Sequence, residues 1–167
     1  MRLFARLVRS VSAALERGAL WLACGGLVLM VLCILVQIVS RYLVSEPLAW
    51  TEELARYAMI WSGLAGATVA YRRGLDPVLL KTASMPKAWM RRAARWIELV
   101  AVSLFALTVL IATPAFLGLH AQRVTETLQA PSLLVVLALP AALAVILIHA
   151  LARAGEGDSA VATEETS

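Results

Sequence analysis

The sequence predicts an all-α integral membrane protein: four transmembrane helices with amphipathic interfacial segments, and both termini cytoplasmic. Three observations predict it. Of the 167 residues 61% are hydrophobic and the mean hydropathy is +0.82, well above the roughly 45–50% apolar share of a soluble domain. Four apolar runs each approach the about 20 residues that a helical crossing needs. Of the fifteen Lys and Arg residues, only Arg41, Arg56 and Arg123 fall on the side away from the termini, the bias that orients membrane helices. The chain reads as one membrane domain over 1–152 followed by a disordered acidic tail over 153–167, whose Glu156, Asp158, Glu164 and Glu165 stand among small polar residues.

The first segment, Met1–Arg17, places Leu3, Phe4, Leu7, Val8, Val11 and Leu15 at helical spacing among Arg2, Arg6, Arg9 and Arg17. That pattern suits a helix lying in the interface with its arginines toward headgroups. The apolar run 18–40 that follows is about 23 residues, beyond the roughly 7–15 of a signal sequence, and no small-x-small cleavage site precedes Arg41. It reads as a retained first span. Cys24 and Cys33 lie in it about 13–14 Å apart along a helix, too far for a disulfide.

The chain turns at Ser45-Glu46-Pro47 and enters the second span, 54–71, through a polar foot. Ser45 suits the N-cap and Pro47 the first turn. The segment 72–96 is the most basic, with Arg72, Arg73, Lys81, Lys87, Arg91, Arg92 and Arg95 against Asp76, and is broken by Gly74, Pro77 and Pro86. Its apolar pieces, Val78-Leu79-Leu80 and Trp89-Met90, suit the bilayer surface. The third span, 97–119, contains Pro114, which a membrane helix tolerates as a kink. A short polar connection over 120–131 leads to the fourth span, 133–151, which contains Pro140.

Candidate functional residues concentrate between Arg41 and Tyr71. Arg41, Trp50, Glu52, Glu53 and Arg56 cluster at the mouth of the second span. They fit an interfacial anchor, with Trp50 and Tyr57 at headgroup depth. The anchor is the simpler reading; the alternatives are a docking point for another polypeptide, or a tie in which Arg41 reaches a glutamate across the corner. Further along, Trp61, Ser62, Gly63, Gly66, Ala67 and Ala70 make a small-residue face that lets helix backbones approach closely, toward the first span or toward a partner.

Several functions are disfavoured. The cationic balance, with pI near 9.6, follows membrane orientation, so no nucleic-acid partner is expected. Gln37, Ser62, Ser103 and Thr108 are the most polar groups at mid-span, whereas a self-sufficient transporter places a coordinating site there. His120 and His149 fall at opposite faces of the bilayer, both as interfacial residues, which disfavours a shared haem. No Walker A, H-E-x-x-H, dinucleotide or nucleophile-elbow motif occurs. The expectation is a non-catalytic chain with no metal and no cofactor.

The corner also resembles a known family. Arg41-Tyr42, Trp50-x-Glu52-Glu53-x-x-Arg56-Tyr57, Trp61, Gly66-Ala67 and Arg72-Arg73-Gly74 are similar to the first half of the small (DctQ-like) membrane subunit of tripartite ATP-independent periplasmic (TRAP) transporters. Thr127-Leu128-Gln129-Ala130-Pro131 with Leu139-Pro140 is similar to the segment leading into that family's last span. Two places depart from the family: Leu75-Asp76, where a histidine is common, and Leu133, Leu134 and Val135, where aromatics are. The resemblance implies a bacterial inner-membrane subunit that braces a large permease subunit for sodium-driven uptake of an organic acid. It implies a periplasmic binding protein that delivers the acid, and lipid around the helices. The alternative is a membrane anchor or assembly subunit of another complex, such as a respiratory complex.

Overall fold

The computed structural model describes residues 2–44, 48–75, 87–120 and 122–164. Helices α1 (Arg2–Val39), α2 (Ala49–Arg73), α3 (Ala88–His120), α4 (Leu133–Val136) and α5 (Ala138–Glu164) follow in order, with a π-helical turn, Ser40–Val44, closing α1. Three stretches among the described residues are long and apolar enough to cross a membrane: Ser10–Leu43, Trp89–His120 and Leu133–Arg153. α2 is not among them.

α1 absorbs the segment expected to lie apart in the interface. No proline or turn separates Met1–Arg17 from the apolar run, and Gly18 costs a helix interior only about 1 kcal/mol. The two therefore join in one helix, about 57 Å long at 1.5 Å per residue. Ser12, in that segment, has no solvent exposure.

α2 starts where the Leu48 carbonyl accepts the Thr51 N–H at 3.1 Å and its hydroxyl at 2.6 Å. Ser45 and Pro47, expected to cap this helix, lie outside the described residues. It stops at Gly74, whose φ of 62° only glycine adopts freely. There the Gly74 N–H reaches Tyr71 O and the Leu75 N–H reaches Ala70 O, satisfying the carbonyls that a helix end orphans. The expected surface loop at Val78–Leu80 and Asp76 lie outside the described residues. Trp89 and Met90, expected in that loop, form the first turn of α3.

Pro114 sits inside an unbroken α3. Around Pro140 the chain does divide, into α4 and α5 about Leu137; proline has no N–H for the Val136 carbonyl and is best accommodated in a first turn, where Pro140 stands in α5. α5 then continues to Glu164, so the stretch expected as a disordered tail is helical over 153–164; its Ala-rich sequence contains no proline to stop it.

The helices run alternately up and down. α2 is antiparallel to α1, with Gly26 against Ala58 and Ser62 near the corner end and Glu16 against Arg72 at the other. α5 is parallel to α2, with Leu134 beside Trp61 and Arg153 beside Tyr71. α3 packs on α4 and α5. The core is built from small side chains: Ala23, Ala58, Ala65, Ala106, Ala138, Ala142, Ala150 and Ala152 are all buried. In lipid no hydrophobic force drives helices together, so close van der Waals approach does that work.

Candidate functional site

The polar side chains gather at the two ends of this bundle. At the corner end, Glu52 and Glu53 are neighbours with different partners. Glu52 accepts from Arg56 at 3.0 Å, four residues on, with both side chains more than 60% exposed. Glu53 accepts the backbone N–H of Leu128 at 2.7 Å, from the connection between α3 and α4. Among the described residues neither glutamate pairs with Arg41, which stands exposed in the π-helical turn. Trp50 is exposed on the first turn of α2.

The connection that Glu53 holds is itself ordered. Val124 bridges Pro131, the Thr125 N–H donates to Ala130 O at 2.9 Å, and the Ser132 N–H to Arg123 O at 3.0 Å. The Ala130 N–H donates back to the Thr125 hydroxyl at 3.1 Å. Gln129 at its tip has φ 51°, which residues with a Cβ adopt only when their surroundings hold them there. Two turns below Glu53, the Trp61 indole N–H donates to Leu134 O at 3.1 Å. α2 thus grips both ends of the stretch 128–134.

The small residues of α2 fall on two sides of the helix. Ser62 is buried against α1, where a Cβ added at Gly26 would come within 2.9 Å of Ser62 Cβ and 3.2 Å of Ala58 O. Gly63 and Ala67 are exposed, Gly66 and Ala70 half-buried, and a Cβ added at Gly63 or Gly66 would meet nothing within 4 Å. On a third side, Trp61, Leu64 and Thr68 join α1 and α5 in lining an apolar lateral groove of about 450 Å³.

The other end holds a network that the sequence reading missed. Arg72 donates to Glu16 at 2.5 Å and to the Ser12 hydroxyl, and Arg73 donates to Glu16 at 2.8 Å. The Ser12 hydroxyl also lies 2.7 Å from His149 Nδ1, and His149 Nε2 is buried with no partner among the described residues. Beside this, Glu98 accepts from Tyr71 at 3.3 Å and from Arg153 at 3.2 Å, and the Arg153 guanidinium lies 5.1 Å from the centre of the Tyr71 ring.

His149 lies in the network at this end of the bundle and is fully buried within it. His120 does lie at a helix end, half-buried, its ring nitrogen 3.0 Å from Phe116 O. Ser12 and His149 have the spacing of a nucleophile and its base, and neither has any solvent exposure. Among the described residues no three His, Cys, Asp or Glu side chains gather as metal ligands would. The sequence signal for the network was slight: Glu16 and Glu98 are lone acids at the basic ends of apolar runs. Gly26 was equally silent, being one of several glycines in α1.

A family model described as tripartite ATP-independent periplasmic transporters, DctQ component, matches residues 30–158. The match begins in α1 and takes in the corner, α2, α3, α4 and most of α5. Among curated proteins nothing matches the chain.

Proposed function

Because this chain belongs to the DctQ-component family of tripartite ATP-independent periplasmic transporters, we propose that it is the small permease subunit that braces a large permease subunit. The large subunit carries the sodium and organic-acid sites, and a periplasmic binding protein delivers the acid. The chain itself is non-catalytic, and sits in the bacterial inner membrane with its termini cytoplasmic.

In this reading α2 is the fourth crossing. At 25 residues it is about 37 Å long, and it lies alongside α1 and α5, each of which contains a stretch apolar enough to cross. Its hydropathy is low because Glu52, Glu53, Arg56, Arg72 and Arg73 stand toward its ends and Ser62, Gly63, Gly66 and Thr68 in its middle. The positive-inside bias puts the Glu16–Arg72–Arg73 end in the cytoplasm and the Glu53–Leu128 corner outside.

The observation that supports bracing is the face of α2 at Gly63, Gly66, Ala67 and Ala70. It has the small residues of a close helix contact, and at both glycines open space where such a contact would be. Among the described residues nothing meets a Cβ at Gly63 or Gly66, which leaves that face for the large subunit. The test is co-purification in mild detergent of a tagged chain with the large permease subunit, expected in stable stoichiometry and reduced by Gly66→Leu. A chain that purifies alone, or an assembly indifferent to Gly66→Leu, rejects the reading.

A further inference from the structure

We propose that Glu53 is a positioning residue: from α2 it holds the connection over 122–132 in the shape that the periplasmic binding protein meets. The inference rests on the transporter reading above and names what one of its corner residues does.

Three observations carry it. The first is the choice of partner. Arg56 lies three residues on from Glu53, within reach on a helix, yet it pairs with Glu52, while the Glu53 carboxylate accepts the N–H of Leu128, 75 positions away in sequence. A carboxylate on a backbone N–H makes a charge-assisted bond, stronger than a neutral one. The second is the state of the connection: the Val124–Pro131 bridge, the Thr125–Ala130 pair and the Ser132–Arg123 bonds close it, and Gln129 beside Leu128 adopts a left-handed backbone. Among the described residues the Glu53 bond ties this connection to α2, and the Ser132 hydroxyl ties it to His120 O at the end of α3. The third is exposure. Arg123, Val124, Glu126, Thr127 and Gln129 are all exposed, so the bonds shape a tip that points away from the bundle.

A connection that merely joined two helices would need none of this order. Held from α2, the tip keeps one arrangement of charges beside the exposed Glu52–Arg56 pair, and the ordering is complete before a partner arrives.

The experiment uses the intact small–large subunit complex in nanodiscs, with Glu53→Ala, Glu53→Gln and the unaltered chain. Amide exchange is followed at Leu128–Ala130, together with binding of the periplasmic binding protein as purified with the acid it carries. Glu53→Ala is expected to speed exchange at Leu128 and to weaken binding, each by about tenfold. Glu53→Gln keeps an acceptor oxygen and is expected to retain most of both, which also separates loss of the bond from loss of the fold. Unchanged exchange in Glu53→Ala overturns the proposal. Faster exchange with unchanged binding overturns it too, while leaving the bracing role intact. If the unaltered complex does not bind the binding protein at all, the transporter reading itself falls, and the inference with it.

Discussion

Ser12 of α1 joins two other helices. Its hydroxyl accepts from Arg72 and hydrogen-bonds His149 Nδ1, and both Ser12 and His149 have no exposure. Removing it with Ser12→Ala strands two polar groups at once, so the substitution is expected to lower stability by about 1–3 kcal/mol, read as a lower melting temperature in detergent. A thermal profile equal to that of the unaltered chain would show that the hydroxyl carries no such duty. Exposure decides the worth of the ion pairs. Glu16 is 19% exposed and serves two arginines, whereas Glu52 is 65% exposed and serves one. Glu52→Gln should therefore cost a few tenths of a kcal/mol at most, and Glu16→Gln clearly more in the same melting assay. Equal losses would mean that solvent screens both alike.

At the scale of the element, α2 organises the bundle by giving each side a different task. Ala58, Ser62, Ala65 and Val69 are buried in the bundle; Glu53 and Trp61 hold the stretch 128–134; Gly63, Gly66 and Ala67 remain open. Two glycine substitutions separate these tasks. Gly26→Ala puts a Cβ 2.9 Å from Ser62 Cβ and 3.2 Å from a backbone carbonyl, so the helices must part, at about 1–3 kcal/mol; the subunit's own melting temperature should fall. Gly66→Leu finds open space within the chain, so it should leave that melting temperature in place and lower only the yield of the complex with the large subunit. A fall in the isolated chain's stability from Gly66→Leu would place that face inside the subunit. Sequence alone grouped Ser62 with Gly63 and Gly66, because small-xxx-small spacing marks a face that can pack without saying which neighbour arrives.

For the whole molecule, the ends carry the charge and the middle carries the packing. The two charged ends differ in kind: at one, Glu16, Arg72, Arg73, Glu98 and Arg153 bind helix to helix, and at the other Glu52 and Arg56 face outward beside an ordered connection. Reversing both corner carboxylates, Glu52→Lys with Glu53→Lys, is expected to impair uptake far more than membrane insertion, measured as transport per inserted subunit. Full uptake with both reversed would return the corner to the role of an interfacial anchor. The all-helical membrane class, three of the apolar stretches long enough to cross and the family were legible in the sequence, since composition, period and the motif between Arg41 and Gly74 are local properties. Glu53 stood among the candidate residues, although its partner did not.

What the sequence by itself determined is whatever depends on neighbours along the chain: the apolar runs that become the helices, and the break in the basic segment at Gly74, where α2 ends. Only the tertiary structure decided that Glu53 meets Leu128, that Arg72 meets Glu16 and Ser12, and that His149 is buried beside Ser12. The reason is physical. A hydrogen bond between residues 75 or 137 positions apart depends on the rotation and register of two packed helices, and each apolar run is compatible with many of those. Close approach at sites such as Gly26 selects one.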